Sequence, residues 1–172
     1  MSEQIDLTPY VGLESPPVEF PGGLIGFPEW TRFTLVDHPE GGPLRLLQSL
    51  DNDRVSFLVA NPAQIMSGYQ IAVAEVDARA IGYPGAFKMG GDWPPDLWVY
   101  CILTVQEEPF HVTANLLGPL VINSQAGLGR QLVLADSGYD SRYPVTGGAS
   151  RPSASGQAGS NRDGGGNGGA RC

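Results

Sequence analysis

Apolar and polar residues alternate with a period of two through much of the chain, most clearly over Leu44–Pro62. Leu44, Leu46, Gln48 and Leu50 alternate with Arg45, Leu47 and Ser49, and Val55, Phe57 and Val59 alternate with Ser56, Leu58 and Ala60. β-branched and aromatic side chains at that spacing suit a pleated, half-buried surface. Asp51-Asn52-Asp53 between the two runs carries turn chemistry, because these side chains hydrogen-bond nearby backbone and tolerate left-handed φ. Pro62 has no N–H for a ladder and ends the second run. The stretch predicts a central β-hairpin. A hairpin alone is marginal in water, so other strands must cover its faces.

Along the rest of the chain, Ile5–Leu7 and Val18–Phe20 read as short strands around a linker that Pro16-Pro17 keeps irregular. Phe20–Glu29 is dense in glycine and proline, which specifies a tight backbone path, with Leu24, Ile25 and Phe27 expected to plug the end of the sheet. Strands follow at Arg32–Val36 and Tyr69–Ala74. Glu75–Ile81 reads as a short helix with Val76 and Ala80 on one side and Gly82 as its stop. Tyr83–Pro95 reads as a long loop. Leu97–Val105 is apolar at nearly every position, the pattern of a strand covered on both faces. After the Gln106–Pro109 turn, Phe110–Leu117, Leu120–Asn123 and Gln131–Ala135 read as strands, Ser124–Arg130 as a loop and Tyr139–Val145 as an irregular edge segment. The sum is an all-β, barrel-like domain of about eight to ten short, mainly antiparallel strands.

Composition divides the chain. Gly147–Cys172 holds no Leu, Ile, Phe, Tyr, Trp or Met, and 9 of its 26 residues are glycine. Such a segment cannot bury enough apolar surface to offset its ordering entropy, so residues 147–172 are expected to be a disordered tail on a domain spanning 1–146. Removing the tail's three Arg and one Asp leaves 7 basic and 17 acidic side chains on residues 1–146, a net charge of −10. That charge repels phosphate backbones, which speaks against direct nucleic-acid binding, and attracts a basic protein. No apolar run approaches the ~18 residues of a membrane span, and Met1-Ser2-Glu3-Gln4 lacks the features of a secretory signal, so the cytoplasm is the expected location.

The chemistry-bearing residues form no recognisable catalytic set. His38 and His111 lie in different elements without a second ligand at metal-binding spacing. Neither a Gly-x-Ser-x-Gly elbow nor a phosphate-binding Gly-x-x-x-x-Gly-Lys-Ser/Thr loop is present. Cys101, inside an apolar run, reads as a small hydrophobe. Asp51 and Asp53 are too few ligands for a calcium site and suit a turn and an acidic surface. Asn61, Asn115 and Asn123 each end or interrupt an apolar strand, where they either satisfy strand-end backbone or meet a partner. No cofactor is expected. A small-molecule-binding barrel with a cavity lined by Trp98 and Tyr100, and an enzyme with a dispersed site, remain as other classes.

Five stretches in order carry a family resemblance: Phe20–Phe27 (Phe-Pro-Gly-Gly-Leu-Ile-Gly-Phe), Leu47–Leu50, Val55–Pro62, Thr113–Asn123 (Thr-Ala-Asn-Leu-Leu-Gly-Pro-Leu-Val-Ile-Asn), and Gly129–Leu134 followed by Tyr139 and Arg142-Tyr143-Pro144. The chain resembles the FliW family of flagellar assembly factors over most of residues 18–145. It departs at Ile25, where the family has Pro, at Gly118, where it has Ala, and in the glycine-rich loop and tail. The resemblance implies a small β-barrel-like domain without catalytic activity. Its implied partners are the translational regulator CsrA, antagonised allosterically away from its RNA-binding surface, and flagellin, whose binding releases CsrA. For a basic partner of that kind the expected contact residues are Asp51, Asp53, Glu107 and Glu108 on two turns, together with Asn61, Asn115 and Asn123.

Overall fold

A computed structural model of the chain describes residues 13–145. The predicted strand at Ile5–Leu7 and the predicted tail lie outside those residues. The strands are β1 (Val18–Glu19), β2 (Arg32–Asp37), β3 (Leu44–Ser49), β4 (Ser56–Ala60), β5 (Gln70–Val73), β6 (Phe87–Gly90), β7 (Leu97–Glu107), β8 (Phe110–Ala114), β9 (Leu120–Asn123), β10 (Leu128–Gln131) and β11 (Tyr143–Pro144). Two short helices, α1 (Pro62–Ile65) and α2 (Glu75–Ala80), complete the described residues. The all-β reading holds, with two of the eleven strands only two residues long.

One sheet runs β11-β8-β7-β4-β3-β2-β1-β10-β9, and β9 returns to pair with β7. The strands from β7 through β4, β3, β2, β1 and β10 to β9 therefore close a ring. An odd-membered ring cannot be antiparallel throughout, and the one parallel contact falls between β1 and β10, at Glu19 and Leu128. β7 holds the ring and its extension together. One edge pairs with β4 through Cys101, Ile102 and Leu103, and the other takes β9 along Leu97–Tyr100 and then β8 along Leu103–Glu107.

The closed ring has two apolar sides. Inside it, Phe20, Phe33, Leu35, Leu47, Val59, Leu120 and Ile122 are buried, with Phe57, Trp98, Tyr100 and Ile102 packed against them. Trp98 and Tyr100 thus pack against the inner core. Outside it, Leu97, Val99, Cys101, Leu103, Val121, Leu132 and Leu134 meet Tyr69, Ile71 and Val73 from the β5–β6 hairpin and Ala78 and Ile81 around α2. β7 alternates between these cores, which accounts for an apolar run without period. Arg130 Nε pairs with Asp77 Oδ1 at 2.8 Å and ties α2 to β10.

Several expectations are corrected. Leu24 is buried, but Ile25 is 57% exposed, with its backbone N–H donating to Gln131 Oε1. α2 buries Ala78 and leaves Val76 exposed, because the small side chain sits against the outer core. The expected 83–95 loop contains β6, paired with β5. The last regular strand is β10, shifted three residues from the expected position. Gly129 reads as loop in sequence because glycine weakens strands. In the barrel it faces inward, where a Cβ would lie 2.5 Å from the Phe20 ring, so that ring fills the space. The 132–134 backbone stays extended, donating from Leu132 to Pro119 and from Leu134 to Leu117.

Candidate functional site

β4 and β7 are antiparallel neighbours, and the start of β4 lies beside the far half of β7. The β3–β4 turn and the β7–β8 turn therefore share one end of the barrel. The Leu24–Trp30 segment closes that end: Phe27 stacks on Trp30 with centroids 5.1 Å apart and meets Phe57 at 5.5 Å.

The two acidic turns differ in what their carboxylates do. Asp51 Oδ2 accepts the backbone N–H groups of Thr31 (2.8 Å) and Arg32 (3.0 Å), and Oδ1 accepts Arg32 Nε (3.2 Å). These bonds, the two backbone N–H donors first and the guanidinium after them, hold the Asp51 carboxyl below its ordinary pKa. Ser49 Oγ accepts from the N–H groups of Asp51 and Asn52, fixing the turn from within. Asp53 is exposed, as is Arg54 beside it, so this turn carries little net charge. In the β7–β8 turn, Glu107 and Glu108 are both exposed. Beyond Leu103 β7 has no pairing with β4, and the β7–β8 ribbon projects with Val105 exposed and Phe110 73% exposed beside the carboxylates.

The three asparagines serve the backbone. Asn61 Oδ1 caps α1 through Ala63 N–H at 3.0 Å and accepts Trp93 Nε1 at 3.1 Å. Asn115 Oδ1 accepts Gly118 N–H at 2.9 Å, shaping the break between β8 and β9. Asn123 donates to the Ile81 carbonyl at 2.9 Å and accepts from Gln125 and Ala126. They lie at separate strand ends, apart from the acidic turns in the fold's ordering. Val105 and Phe110 were missed as contact candidates. Their alternation reads as core in sequence, and only the ribbon's departure from the barrel exposes them.

Burial pushes the Cys101 thiol up to about 12, so it stays protonated and packs as an apolar group. Among the described residues, no group of three or more His, Cys, Asp or Glu is placed to hold a metal ion, and no helix is long and apolar enough to cross a membrane.

The chain thus forms a small closed β-barrel with a projecting, acid-tipped ribbon. The family described as FliW protein matches residues 10–145, and the chain belongs to that family. The chain is 34% identical over 134 residues to the flagellar assembly factor FliW of Symbiobacterium thermophilum, covering 77% of this chain and 91% of that one. It is 31% identical over 128 residues to the flagellar assembly factor FliW of Clostridium beijerinckii, covering 74% and 85%. A crystal structure of the flagellar assembly factor FliW superposes with a TM-score of 0.65 at 28% identity, over 77% of this chain and 86% of that chain.

Proposed function

We propose that this chain is a cytoplasmic flagellar assembly factor that acts by binding rather than by catalysis. Its partners in this reading are a CsrA-type translational regulator and flagellin, with flagellin displacing the regulator so that flagellin level feeds back on flagellin translation. Family membership across residues 10–145 is the observation that carries the reading. The net charge of −10 on residues 1–146 favours a basic protein partner over nucleic acid. The β7–β8 turn, with Glu107 and Glu108 next to exposed Val105 and Phe110, is the proposed contact for that partner. Asp53 contributes at the rim, and Asp51 acts on the fold of the neighbouring turn.

Titration calorimetry of the purified chain with the CsrA-type regulator, repeated after saturation with flagellin, tests the function. A 1:1 or simple-ratio isotherm that disappears in the presence of flagellin is the expected result. No heat with either protein would count against the reading as a whole.

A further inference from the structure

β11 runs antiparallel to β8, with Tyr143 opposite Ala114 and Pro144 opposite Thr113, and the Val145 N–H donates to the Val112 carbonyl at 2.9 Å. The chain therefore leaves the described residues travelling along the ribbon toward its tip. Each further residue moves one position back along β8, so the register sets Thr146 opposite His111 and Gly147 opposite Phe110. Phe110 is in turn the β7 partner of Glu107. Among the described residues β8 pairs only with β7 and β11, so no other strand stands in that path.

The sequence that follows is of opposite charge to the tip. Thr146 to Ser150 carries no charge and no large apolar side chain, Arg151 is the first ionised residue, and residues 147–172 hold three Arg against one Asp. At the tip Glu107 and Glu108 are exposed and make no ion pair among the described residues. Arg151 is four residues past Gly147, a reach of at most about 14 Å for an extended chain. Glu107 lies two strand spacings across from that point, about 10 Å. Arg151 therefore reaches both carboxylates while β11 stays paired with β8.

We propose that the segment after Val145 folds back on the ribbon tip and seats Arg151 on Glu107 and Glu108, so that this chain carries a tethered competitor for its own acidic contact. The regulatory effect rests on the β7–β8 turn being the partner contact proposed above, whereas the contact itself does not. A tether this short holds the guanidinium at an effective concentration on the order of millimolar. The segment has no large apolar group to lay over Val105 and Phe110, so it covers charge and leaves the apolar side of the tip open. A basic partner that also brings apolar surface displaces it, and one that brings charge alone is screened. The segment thereby sharpens the choice among basic proteins at the ribbon, and its competition fades as salt screens the charges.

The test uses the full chain. Lys88 is the only lysine in the sequence, so an amine introduced by Arg151→Lys can be followed by peptide mapping after carbodiimide coupling. Coupling within one chain to Glu107 or Glu108 is expected at low salt, falling about threefold or more near 1 M salt, where the Debye length is about 3 Å. Coupling spread over other carboxylates would overturn the proposal. So would a yield at Glu107 and Glu108 that salt leaves unchanged, since tethering alone would give that. With the CsrA-type regulator, Arg151→Gln should speed association about twofold at low salt. Arg171→Gln makes the same change of charge twenty residues farther along and should do less. Equal effects would overturn the competition and assign the change to net charge. No regulator binding by any of these chains would count against the regulator-binding reading alone, and the coupling result would then decide the contact.

Discussion

At one end of the barrel two acidic turns sit on adjacent strands, and their carboxylates have opposite fates. Asp51, in the β3–β4 turn, gathers three donors from Thr31 and Arg32 and fastens the start of β2 to the hairpin. Glu107 and Glu108, in the β7–β8 turn, are exposed at the tip of a ribbon that has left the barrel wall. The difference lies in which backbone passes by. The β3–β4 turn folds against the incoming β2 strand, so its carboxylate meets N–H groups some twenty residues away in sequence. Past Leu103, β7 has only β8 beside it, and the glutamates meet solvent. An acidic turn becomes part of the fold or part of a surface according to its long-range neighbours.

The largest effects should fall on the packed side of that comparison. Ile122→Ala removes a fully buried side chain from the barrel interior and should cost about 2–5 kcal/mol, read from the denaturant midpoint. Phe110→Ser, at the bare ribbon tip, should change stability by no more than about 0.5 kcal/mol. Equal losses would mean that the ribbon is packed against something that stabilises it.

Asp51→Asn should lower Tm at neutral pH, whereas Glu108→Gln should leave it unchanged. The Asp51 carboxyl is held below its ordinary value by the two backbone N–H groups and Arg32. Its contribution to stability is therefore present above the unfolded-state value and is lost as pH falls through the lower folded-state value. The Tm gap between parent and Asp51→Asn should be full at neutral pH and should close in acid, below the ordinary carboxylate range. A gap that persists there would assign the effect to lost packing in place of the charge-assisted bonds.

Truncation after Thr146 should have the smallest effect, shifting Tm by no more than a few degrees, because the removed segment has no large apolar side chains. A large loss would show that the tail belongs to the domain.

The central hairpin, the doubly covered β7 and the short α2 were legible because period and turn chemistry are local signals. Ile122, in a stretch that reads as a strand, is buried in the barrel interior, and Phe57 of the central hairpin packs against the same core. What escaped depends on contacts distant in sequence. Asn61-Pro62 carries a helix N-cap followed by Pro at the first helical position, a local signal for α1, but the strand-ending reading of proline masked it. Gly129 became a strand residue because Phe20, more than a hundred residues earlier, occupies its missing side-chain volume. The candidate site was half legible: the acidic turns could be found from charge, yet the commitment of Asp51 to Thr31 and Arg32 and the exposure of Phe110 follow only from how the sheet closes.

The β7–β8 turn is the proposed contact for a basic partner, and association kinetics test it directly. Asp51 stays unmutated, since altering it would disturb folding as well as charge. Glu107→Lys combined with Glu108→Lys changes the local charge by four units while touching no bond of the fold among those described. Stopped-flow or surface binding of the CsrA-type regulator at two salt concentrations should show slower association by the double variant at low salt, with the gap narrowing as salt screens the charges. Asp53→Lys should slow it less. Association unchanged by the double variant at low salt would contradict the assignment and move the interface elsewhere on the barrel.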